Sequence, residues 1–121
     1  FLQVWIQPDR VNAAPRYAQA GFDAARRDGR LCLMASPDGE AGSLPLRQQA
    51  SVLRGSVRPG EPLGHALAPG RRAWVQVIEG TLELAGEQLH AGDGAGVGGL
   101  EHLELSARGD RPADVLVFDL P

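Results

Sequence analysis

Two histidines, His65 and His102, bracket the one stretch of this sequence whose residue types and spacing could support chemistry. Imidazole shuttles protons or binds metals near neutral pH, but a catalytic metal needs three or four donors, and two histidines alone rarely hold one. Other chemistries fail on spacing. Glu101 and Glu104 resemble an acid/base pair, yet their odd separation along a strand sends them to opposite faces, as exposed carboxylates. Gly92, Gly94, Gly96, Gly98 and Gly99 superficially resemble a phosphate-cradling loop, but neither a Lys nor a helical pattern follows. No nucleophile turn accompanies a Ser/His/Asp set. The one cysteine, Cys32, sits in the apolar run Leu31-Cys32-Leu33-Met34 and reads as a buried, inert thiol. Trp5 and Trp74 read as packing residues, with Trp5 excepted if the first segment lies at a domain interface.

The elements that must position these residues read as short strands. Leu2, Val4 and Ile6 alternate with Gln3, Trp5 and Gln7, which predicts an opening strand ended by Pro8. Phe22–Asp28 favours a short helix closed by Gly29. Strands are then expected at 31–35, 45–49, 51–57, 63–68, 73–79, 81–85, 88–90, 102–107 and 114–120. They are separated by turn signals such as Ser36-Pro37-Asp38-Gly39 and Pro69-Gly70. In the clearest strand, Val75 and Val77 share one face and Trp74, Gln76 and Ile78 the other. About ten closely spaced strands and at most one short helix predict an all-β sandwich, barrel or jelly roll.

The 121 residues fit one domain, spanning 1–121, and are enough to bury a core. A net charge of −3, with basic residues gathered only as the pairs Arg26-Arg27 and Arg71-Arg72, argues against nucleic acid as a partner. No apolar run approaches the roughly 20 residues of a membrane span. A single cysteine forms no intramolecular disulfide, and a cytoplasmic location is expected. A start within a predicted strand, without an initiator methionine, reads as a piece of a longer polypeptide.

The stretch Val77-Ile78-Glu79-Gly80-Thr81-Leu82-Glu83-Leu84, Gly86 and Ala91-Gly92-Asp93-Gly94 resembles the double-stranded β-helix core of the cupin superfamily. Metal-binding cupins carry two histidines two residues apart, a glutamate on the next strand and a third histidine later. In this chain His65 stands at the first position, Leu67 at the second, Ala73 at the glutamate and His102 near the third. The resemblance thus implies a barrel pocket lined by His65, Leu67, Ala73, Val75 and His102 that is apolar at two of four ligand positions, with no metal, cofactor or catalytic residue in this domain.

A narrower resemblance covers nearly the whole chain. Leu2-Gln3-Val4-Trp5-Ile6, Pro15-Arg16-Tyr17-Ala18-Gln19 with Phe22, Ser36-Pro37-Asp38-Gly39, Arg72-Ala73-Trp74-Val75-Gln76-Val77, Gly92-Asp93-Gly94 and Val115-Leu116-Val117-Phe118-Asp119-Leu120 are similar to the C-terminal cupin of pirin-like proteins of the bacterial quercetinase type. Ala18 departs from that pattern, where the family has glutamate. The family implies a bicupin whose N-terminal barrel binds a divalent transition metal (Fe, Ni, Mn or Cu) and, in several members, acts as a quercetin 2,3-dioxygenase. This half would be its non-catalytic partner, with residues 1–7 as the linking strand from the N-terminal cupin. That edge, Phe1–Gln7, also invites a homodimer. The alternatives are a small-molecule-binding or sensory cupin without metal, and an autonomous metalloenzyme using His65 and His102.

Overall fold

The computed structural model describes residues 1–121 and contains ten strands with two short 3-10 turns. The strands are β1 (Leu31–Ser36), β2 (Leu44–Pro45), β3 (Ser51–Val57), β4 (Leu63–Ala66), β5 (Arg72–Glu79), β6 (Thr81–Leu84), β7 (Glu87–His90), β8 (Gly94–Gly98), β9 (His102–Ala107) and β10 (Ala113–Leu120). They form a six-stranded sheet in the order β2-β1-β3-β10-β5-β8, facing a four-stranded sheet in the order β4-β9-β6-β7. All pairings are antiparallel except β1 with β2. This is the expected jelly-roll arrangement.

The two-residue period decides what enters the space between the sheets. Ala73, Val75 and Val77 of β5 point inward beside Val115 and Val117 of β10. Leu82, Leu84, Leu103 and Leu105 meet them from the smaller sheet. Each fully buried Val or Leu contributes about 1.5–3 kcal/mol. Tight turns let the strands fold back. Gly80 joins β5 to β6 at φ 81°, where a Cβ would come within 2.6 Å of the Pro112 carbonyl oxygen, so glycine is required on two counts.

Four expectations change. Residues 1–7 form no strand, because no neighbouring strand pairs with their backbone. They lie as an extended strap, held further along by Asp9 N–H donating to the Arg47 carbonyl (2.7 Å) and Gln48 Nε2 to the Gln7 carbonyl (3.0 Å). The helix expected over 22–28 shrinks to a 3-10 turn, Ala24–Arg26. The flanking backbone pairs instead with β3: Gly29 N–H donates to Ser56 O and Ser56 N–H to Arg27 O. Finally, 94–98 is a strand, β8, that glycine content concealed. The predicted strand 45–49 contracts to β2, Leu44–Pro45.

Candidate functional site

His65 points inward from β4 and meets Asp119 of β10 across the gap between the sheets. Its Nε2–H donates to Asp119 Oδ2 at 2.8 Å, an assignment that follows because an ionised carboxylate only accepts. Arg71, just before β5, donates from Nε to Asp119 Oδ1 and from Nη2 to the carbonyls of Gln49 (2.7 Å) and Asp119 (3.1 Å). Asp119 is buried, so its charge is tolerable only because both carboxylate oxygens are engaged by donors. The cluster ties β4 to β10 and to the residues that lead into β5 and β3. Its geometry is that of an oriented imidazole, but the ring's side-chain hydrogen bond goes to Asp119 and not to a hydroxyl or thiol.

The other predicted pocket residues do not converge with His65 on one cavity. Leu67, Ala73 and Val75 are buried within the packed core and fill the space where a ligand set would sit. His102 projects from the opposite face of β9: it is exposed, and its ring lies over Gly64, where a Cβ would meet it at 2.7 Å. The physical reason is parity. His65 pairs with Leu103, not with His102, so the alternation that turns Leu103 inward turns His102 out. No group of three or more His, Cys, Asp or Glu side chains is close enough to hold a metal ion. The donor set therefore does not fit a metal of the kind that metal-binding cupins hold.

The remaining candidates also have places. Glu101 and Glu104 are both exposed, but Glu101 precedes β9, so strand parity does not govern it. Cys32 is buried. Trp5 does not pack, being 87% exposed. Trp74 packs on the glycine strand: its indole lies over Gly94 and Gly96, and a Cβ on Gly94 would meet it at 2.4 Å. Trp74 Nε1 donates to Gln76 Oε1, and Gln76 Nε2 donates to the carbonyls of Gly92 and Asp93, which locks the ring against the sheet. The run read above as a poor phosphate loop is thus a shelf for an aromatic ring.

Sequence reasoning missed Arg71 and Asp119 as the partners of His65. A polar residue ending the otherwise apolar alternation of β10 was the available signal. Elsewhere, Arg54 grips Asp114 through two bonds of 3.1 and 2.7 Å on the outer sheet face, and this pairing raises the Arg54 pKa. Arg58 bridges Asp28 and Glu61 in water-exposed pairs.

Comparison with known proteins gives a consistent result. The family model described as the quercetinase C-terminal cupin domain matches residues 33–120. A quercetin 2,3-dioxygenase of Escherichia coli K12 is 34% identical over 119 residues, covering 98% of this chain and 49% of that protein. The crystal structure of YhhW from Escherichia coli superposes with a TM-score of 0.88 at 33% identity, over 97% of this chain and 48% of the other. A structure of bacterial pirin YhhW in complex with nickel(II) gives a TM-score of 0.87 at 32% identity, with the same coverage of both chains. The chain spans about half the length of the relatives it matches. No helix is long and apolar enough to cross a membrane.

Proposed function

This chain belongs to the quercetinase C-terminal cupin family, and on that premise we propose that it is the non-catalytic half of a pirin-like two-cupin protein, packing against and supporting a metal-bearing N-terminal barrel. The intact protein would be a cytoplasmic dioxygenase of the quercetin 2,3-dioxygenase type, with a divalent transition metal (Fe, Ni, Mn or Cu) in its other half. The observation that carries the reading is the filled interior: Leu67 and Ala73 occupy two ligand positions as close-packed core residues, and His102 faces away. The nickel complex of the related pirin supports the metal class for the intact protein. The alternative is a small-molecule-binding or sensory cupin that holds an organic ligand without metal in a barrel interior lined by His65, Leu67, Ala73, Val75 and His102. The packed Leu67, Ala73 and Val75 and the outward-facing His102 count against it.

The test is metal analysis and quercetin turnover by the purified 121-residue chain. The expected result is substoichiometric metal and no turnover. Stoichiometric Fe or Ni that is lost in a His65→Ala variant, accompanied by quercetin oxidation, would overturn the reading. The coding sequence upstream of Phe1 supplies an independent check, since a preceding barrel with an intact His-x-His and Glu is expected there.

A further inference from the structure

Resting on that two-cupin reading, we propose that the outer face of the six-stranded sheet, together with the strap at 1–6, is the surface on which the preceding cupin half docks. An antiparallel sheet with one solvated face alternates apolar and polar residues. β10 does not: Val115 and Val117 face the core, while Leu116, Phe118 and Leu120 face outward. A strand apolar on both faces calls for a layer on each side. On the outer side the strap supplies part of that layer, leaving Leu116 and Phe118 each 8% exposed, and an apolar groove of about 400 Å³ remains between it and Trp74, Leu116, Phe118 and Leu120.

The strap is itself unfinished. Leu2 and Val4 remain half exposed, Trp5 is 87% exposed, and Trp74 beside them is 43% exposed. Contiguous apolar surface of this kind marks an interaction site, and tryptophan is enriched at the buried centres of interfaces. The neighbouring strand, β8, presents Gly94, Gly96 and Gly98 outward with no side chains of its own there, so only the Trp74 ring and the Gln76 and Arg72 side chains cover its backbone and another layer can approach closely.

The relatives identify the occupant. This chain aligns over 98% of its length with only 49% of the Escherichia coli dioxygenase, and it matches the C-terminal cupin of that family. A second cupin-sized length therefore precedes the corresponding region there and joins it at the strap. Tethering at the rim of the groove gives that half a high effective concentration at this face.

The test compares amide hydrogen exchange in the 121-residue chain and in the intact two-cupin polypeptide, each with and without Trp5→Asp. Docking predicts that the amides of 2–6 exchange at least about tenfold more slowly in the intact protein. It also predicts that Trp5→Asp abolishes this difference while leaving the melting of the 121-residue chain unchanged. Equal exchange in both overturns the docking surface. If the two halves then still unfold in one transition, they are coupled elsewhere and the supporting role stands; if they unfold separately, the supporting role falls too. A 121-residue chain that sediments as a dimer, and becomes monomeric on Trp5→Asp, would assign the groove to a second copy and overturn the proposal.

Discussion

His65 and Asp119 face each other across the two sheets at 2.8 Å, and Arg71 takes the other oxygen of the same carboxylate. The strands that carry His65 and Asp119 are not hydrogen-bonded neighbours, since β4 and β10 lie in different sheets. The pair therefore does between the sheets what backbone ladders do within each sheet. It also gives His65 a structural role beside apolar Leu67 and Ala73: the ring is committed to a carboxylate that would otherwise be buried with fewer donors.

Removing the two members should have unequal cost. His65→Ala leaves Asp119 with Arg71 and is expected to destabilise by about 1–2 kcal/mol. Asp119→Ala strands two donors at once and should cost about 2–3 kcal/mol, the partial exposure of Arg71 limiting the penalty. Urea midpoints at constant m-value measure both, and equal effects would contradict the shared-carboxylate arrangement.

Gly94 and Gly96 provide a matched contrast on β8. Gly94→Ala places a methyl within 2.4 Å of the Trp74 ring and should displace it, at a cost of about 1–3 kcal/mol. At Gly96 the ring is 3.6 Å away, so Gly96→Ala should be neutral or mildly stabilising. Tryptophan fluorescence should shift to the red for the first variant only.

Restoring a ligand at Ala73 should damage the fold. The side chain is 3% exposed and surrounded by Val and Leu. Ala73→Glu would bury an unpaired, oversized carboxyl, and a loss of about 3–5 kcal/mol is expected. A folded Ala73→Glu variant of unchanged midpoint would mean that the interior is more open than the packing indicates.

Acid sensitivity should have a measurable contribution from Asp28, in the segment that leads into β1. Hydrogen bonds from the Arg58 guanidinium hold the Asp28 carboxyl below its ordinary value of 3.8. A depressed folded value means that stability is present above the unfolded pKa and lost as the pH falls through the folded one. The stability difference between the parent chain and Asp28→Asn should therefore be small but positive near neutrality and shrink as the pH drops below 3.8. Added salt should diminish it as well, because the pair is exposed. A difference that grew on acidification would refute the assignment.

Local pattern located most strands because inward apolar residues at every second position are written directly into the chain. β3 and β9 fall on the predicted residues, and β5 and β10 each begin one residue early. The misses share one cause. Leu2–Ile6 alternates like a strand, but a strand exists only when another backbone accepts its hydrogen bonds, and none is adjacent. Gly94–Gly98 lacks strand-forming side chains on one face, yet β5 pairs with it across five residues and supplies Trp74 to cover the bare backbone.

The sequence by itself determined the all-β class and the turn at Gly80, because composition and period act locally, and its resemblance to cupins set Leu67 and Ala73 at two ligand positions. Only the tertiary structure decided that His102 faces solvent, that Asp119 and Arg71 capture His65, and that β10 is apolar on both faces of its sheet. Those outcomes depend on which strands become neighbours and in what register, and a one-residue change of register exchanges inside for outside.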